Sequence, residues 1–112
     1  PVKVLDETVL LVTAPCFAAT KIEAFSDRGQ GDFMASHDIE DILTVIDGRQ
    51  AIIEEIADAP AHLRKFIAGS LKSFLNQDRF LDSLPGHLPP DEASQRRLAQ
   101  LVQRIEAIAT LE

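Results

Sequence analysis

One cysteine in 112 residues, Cys16, leaves no second thiol for a disulfide within the chain. A reducing cytoplasm is the expected compartment. Positive charge is also scarce. Lys and Arg number 11 against 18 Asp and Glu, a net charge of −7. That balance repels phosphate backbones and excludes broad nucleic-acid coating unless the cations gather on one face. Long apolar runs are missing as well. The best candidate, "TVLLVTAPCFAA", fails as a signal peptide or lipoprotein box. Asp6 and Glu7 precede it where a signal carries cations, and Pro15 stands before Cys16 where a small residue is required. Nothing else approaches membrane-spanning length, so no membrane partner is expected.

What is present is ordinary for a globular chain: 46 % hydrophobic and 26 % charged residues, enough to fold rather than stay disordered. The length fits one small domain, 1–112, able to bury about two thirds of its unfolded surface. Pro1 is what removal of an initiator Met leaves, and equally what a cut from a longer chain leaves.

The pattern predicts a mostly α (α+β) fold, a short N-terminal β-hairpin or strand pair packed on about five helices. "VKVLDETVLLV" gives the β element at 2–12, two β-branched apolar runs around Asp6 and Glu7. From Pro15 the period becomes helical, and the helical body runs over 15–84. Ala18, Ile22 and Phe25 share one face until Gly29 and Gly31; Ile39, Ile42, Leu43 and Ile46 share another until Gly48. "QAIIEEIADA" adds a turn or two before Pro60. The clearest stripe is Leu63, Phe66, Ile67, Ser70, Leu71, Phe74 and Leu75, expected to face the core. "DRFLDSL" reads as one short turn, and "PGHLPP" as a proline linker over 85–90. A C-terminal helix over 91–110 starts at Pro90 and Asp91 and carries Leu98, Leu101, Val102, Ile105 and Ile108. No internal repeat or low-complexity tract occurs.

The unusual polar chemistry is concentrated in "KIEAFSDRGQGDFMASHDIEDI". Lys21 and Arg28, seven apart, lie on one line of a helix and want an anionic partner. Asp38 and Asp41 share a face of the next helix and supply one, or a ligand phosphate does. In the simplest reading Ser36 or Asp38 caps that helix and salt bridges to Lys21 or Arg28 fix the packing of two helices. A metal reading groups His37, Asp38 and Asp41 around Mg²⁺. "GQGDF" lacks the Lys-Ser/Thr ending of a P-loop and reads as a connector whose Phe33 tucks into the core. Cys16 reads as buried rather than nucleophilic, and His62 and His87 as surface or turn residues. No Ser/His/Asp arrangement follows from these positions.

Together "APCFAATKIEAFSDRG", "GDFMASHDIEDILTVIDGR" and "FLDSLPGHLPPDEASQRR" resemble the C-terminal half of bacterial nucleotidyltransferase-like proteins. These are relatives of the abortive-infection AbiEii enzymes of the polymerase-β superfamily. The resemblance runs the whole chain and is most specific from the Ala-Thr-Lys to the Ser-His-Asp segment. It implies that Lys21 and Arg28 face nucleotide phosphate, and that Asp38 and Asp41, with His37 where relatives have arginine, frame the site. "GQGDFMAS" lengthens the connection between these parts.

The resemblance lacks one half of the chemistry. Polymerase-β-like transferases place a Gly-Ser turn before a strand with two aspartates at alternate positions, since two-metal transfer needs both carboxylates together. Here Gly69-Ser70 lies within a helical stripe, and Asp78 and Asp82 are four apart. No catalytic residue and no metal site are therefore expected in these 112 residues, with NTP and Mg²⁺ bound only alongside a catalytic half. A truncated domain of this sort would expose apolar surface near Val2 to Val12 and pair as a homo-oligomer or with a protein partner. The alternative is a non-enzymatic helical interaction or antitoxin-like regulatory module that captures its partner with the final helix.

Overall fold

A computed structural model describes residues 13–28 and 32–111 of the chain. The first helix, α1, spans Ala14–Arg28; the side chain of Arg28 lies outside the described atoms. Thr13 starts it, its Oγ1 accepting from the Cys16 N–H at 3.3 Å and its carbonyl from the Phe17 N–H at 2.9 Å. Pro15 occupies the first turn, where its missing donor has no helical partner to lose. Ala18, Ile22 and Phe25 are buried as their spacing requires. Cys16 is exposed, contrary to expectation; at 100° per residue it sits about half a turn away from Phe25.

Asp32 accepts from the Ala35 N–H at 3.0 Å and closes a turn over Phe33 to Ala35. Ser36 then caps α2 (His37–Gly48), its hydroxyl oxygen accepting from the Ile39 N–H at 3.2 Å. Ile39, Ile42, Leu43 and Ile46 of α2 are all buried. After α2, Arg49 forms a fork with both oxygens of Glu55, at 2.6 and 2.7 Å. Those bonds hold the Glu55 carboxyl below its ordinary range and raise the Arg49 guanidinium. Glu55 belongs to α3 (Ile52–Ala57), which buries Ile52 and Ile56. Three further helices follow: α4 (Ala61–Leu75), α5 (Asp78–His87) and α6 (Glu92–Ala109).

One apolar cluster runs from Ile22 to Ile108 and draws on all six helices. α1 packs on α2 and α4, and α4 on α6. Four phenylalanines fill one end. Phe33 stacks on Phe25 with centroids 5.0 Å apart and meets Phe74 and Phe80 edge-on at 5.4 and 5.3 Å.

Four expectations change. Among the described residues there are six helices and no strand, so the α+β assignment is replaced by an all-helical fold; the β element at 2–12 lies outside the described residues. Residues 85–87 of the proline linker are helical, and "DRFLDSL" is the body of α5 rather than one turn. A proline in a helix interior costs about 3 kcal/mol or more, but Pro85 stands near the end of α5, a helix whose Phe80 and Leu84 are each 1 % exposed. In α4 the buried positions are Ile67, Ala68, Leu71 and Phe74, while Phe66 is 40 % exposed. The helix is held between α1 and α6, and the small Ala68 is enclosed where the larger Phe66 is not. Finally, the C-terminal helix that the alternative reading joins through the proline linker is part of the core, since Leu101, Ile105 and Ile108 of α6 are fully buried.

Candidate functional site

The polar cluster assembles where α1 crosses the start of α2. Lys21 precedes Ile22 on α1, so it leaves the core at the edge of the helix contact. Its Nζ lies 2.8 Å from Asp41 Oδ2 and 3.7 Å from Asp38 Oδ1. It also sits 5.6 Å over the Phe17 ring one turn earlier, a distance at which the ring quadrupole attracts a cation. Asp38 and Asp41, one turn apart, stand near the positive end of the α2 dipole. The side chains are exposed to different degrees: 8 % for Asp38, 26 % for Lys21 and 42 % for Asp41.

That gradient decides what the cluster can do. Asp38 is enclosed and fixes the ammonium from the core side. Asp41 can turn to water at little cost, because an ion pair this exposed contributes about 0–1 kcal/mol. An incoming anion would therefore reach Lys21 by displacing Asp41 while Asp38 stays in place. His37 takes no part. Its ring is 93 % exposed and its Nδ1 lies 3.2 Å from Glu40 Oε1. Among the described residues no group of three or more His, Cys, Asp or Glu side chains is placed to hold a metal ion. Arg28 is the last residue of α1.

The support beneath the cluster was partly hidden in the sequence. His87, read as a surface or turn residue, donates from Nε2 to the Phe33 carbonyl at 2.6 Å. Beside it, the Met34 side chain lies directly on Gly86, where a Cβ would meet its Sδ at 2.7 Å. α5 thus clamps the turn that leads into Ser36 and α2. The other end of α2 is closed by α6. Arg104 donates to the carbonyls of Ile46, Arg49 and Gln50 at 2.8, 2.7 and 3.3 Å, and Arg97 to Asp47 at 3.1 Å. A sequence signal for this exists. Arg97 and Arg104 share one helical line with the buried Leu101 and Ile108, and cations on a core-facing line need nearby acceptors. Arg64 does the same for α3, donating to the Ala59 carbonyl at 3.1 Å.

No protein-family model matches the chain, and comparisons with curated proteins and with solved structures give no match. Among the described residues no helix is long and apolar enough to cross a membrane.

Proposed function

We propose that the chain forms the helical, non-catalytic side of a nucleotidyltransferase-like site in the cytoplasm, with Lys21 meeting the triphosphate and Asp38 and Asp41 framing it. One observation carries the reading: a lysine anchored from within by an enclosed aspartate and covered from outside by an exposed one. That arrangement pre-positions an ammonium while one of its carboxylate partners, Asp41, stands open to water and able to give way to phosphate. The paired-aspartate strand that transfer demands is not in these residues, so the chain contributes binding and the reacting groups come from elsewhere. Titrating Mg-NTP into ¹⁵N-labelled chain joined to its catalytic half tests this. Amide shifts confined to residues 17–25 and 36–41, and lost in Lys21→Met, are expected. Saturating nucleotide without such shifts would refute it.

The same contacts favour a second reading, a helical interaction module in which Lys21 is simply the ionic tie between α1 and α2. There Lys21→Met lowers stability and nucleotide changes nothing.

A further inference from the structure

We propose that the outward face of α4 docks an acidic amphipathic helix of a partner protein, seated over Gly69 between Lys65 and Lys72. The inference goes beyond the nucleotide reading and does not depend on it. His62, Lys65, Phe66, Gly69, Lys72 and Asn76 are all exposed and recur at helical spacing, so they form one face about 21 Å long. Phe66, 40 % exposed, gives that face an apolar anchor of the kind aromatic residues supply at interfaces. Gly69 stands at its centre. Glycine is among the poorest helix formers, yet a Cβ built there would meet nothing within 4 Å. Nothing within the described helices therefore requires the glycine. A helix crossing α4 at this point would, because the side chains at the contact set how closely two helices approach. Ser70 and Ser73 keep the neighbouring positions small as well.

Charge selects the occupant. Residues 59–77 contain no Asp or Glu, in a chain of net charge −7. Lys65 and Lys72, seven apart, lie nearly on one line of α4 with Gly69 between them. Among the described residues neither ammonium has an ion-pair partner. An acidic partner supplies one to both, whereas a basic partner meets like charge. The grooves on either side of Gly69 fix where the partner lies. The one towards α6 has Glu106 in its wall. The one towards α1, about 420 Å³, is walled by Ser26, Lys65, Phe66 and Ser73 among others and by no carboxylate. The partner's apolar residues therefore enter the α1 side against Phe66. Glu23 and Asp27, exposed on α1, keep its carboxylates over α4 and the lysines. A helix is the fitting occupant, because among the described residues there is no strand edge for an extended segment to join. A contact of this size belongs with weak, transient interfaces.

The probe is a synthetic amphipathic helix with leucines at positions i, i+3, i+4 and i+7 and glutamates beside them, titrated into the ¹⁵N-labelled full chain. Amide shifts confined to α4 and the facing turns of α1 are expected. Lys65→Glu combined with Lys72→Glu should weaken binding about tenfold or more, and added salt should weaken it in the unaltered chain. Gly69→Gln should weaken it to a similar degree while leaving Tm no lower, since it places a better helix former in open space. Absence of shifts on α4 would overturn the proposal, as would equal binding of the same peptide with lysines in place of glutamates. Binding indifferent to Gly69→Gln would overturn it too. So would α4 shifts that grow with protein concentration alone, which would assign the face to a second copy of the chain.

Discussion

Phe33→Ala should destabilise the protein more than any other change in the connection between α1 and α2. Phe33 belongs to no helix, yet it is 3 % exposed and contacts the rings of Phe25, Phe74 and Phe80. Truncating a buried phenylalanine costs about 3–5 kcal/mol, covering the lost transfer energy and the cavity left behind. A domain of this size has only about 5–15 kcal/mol to lose. At an unfolding entropy near 2.1 cal/mol/K per residue, each kcal/mol moves Tm by roughly 4 °C, so a fall of about 12–20 °C is expected. Phe33→Leu keeps much of the volume and forfeits mainly three aromatic pairings, each worth about 0.5–1.5 kcal/mol, and should fall between. Urea unfolding followed by circular dichroism measures both. A loss below about 1.5 kcal/mol for Phe33→Ala with an unchanged m-value would refute the reasoning. It would show that the turn is not anchored by its ring and that the placement of Ser36, Asp38 and Asp41 has another origin.

Arg104→Lys should be nearly as damaging as Arg104→Met, because a point charge cannot reproduce a fork that serves three carbonyls. A loss of about 1–3 kcal/mol in urea unfolding is expected, with hydrogen exchange rising first at Ile46 to Gln50. Asp91 caps α6 by accepting from the N–H and Oγ–H of Ser94 at 2.9 and 2.8 Å, and those bonds hold its carboxyl below the ordinary range. The folded value is the lower one, so the stabilisation is complete above the ordinary aspartate range and disappears as pH falls through the lowered value. The gap in urea midpoint between wild type and Asp91→Ala should therefore be full near pH 6, begin to narrow below about pH 4 and close only beneath the lowered folded value.

The sequence shows α2 and α6 well because each presents a single buried line to one body of core. Ile39, Ile42, Leu43 and Ile46, and likewise Leu101, Ile105 and Ile108, are enclosed at the spacing their pattern predicts. α4 misleads at one position, Phe66. Periodicity ranks positions by hydrophobicity, so it favours Phe66, whereas packing encloses the small Ala68. Pro85 misleads for a related reason. Its local cost is visible in sequence, but the burial of Phe80 and Leu84 that outweighs it is tertiary. Of the candidate site, the pairing of Lys21 with Asp38 and Asp41 was one of those the spacing offered, beside Arg28 as the cation and a ligand phosphate as the anion. Their unequal exposure was not, since it depends on how α1 crosses α2. The clamp from His87 to Phe33 spans 54 residues, a separation at which no local pattern carries information.

The attachment of α6 to the end of α2 also bears on how the chain is made. α2 packs on α6, and Arg104 reaches carbonyls that left the ribosome some 55 residues earlier. At roughly 5–20 residues per second, translation from residue 46 to 108 takes about 3–12 s. Through that interval the side of α2 that packs on α6 faces water or whatever binds nascent chains. Yield in the cell then depends on shielding during those seconds as well as on the stability of the finished fold.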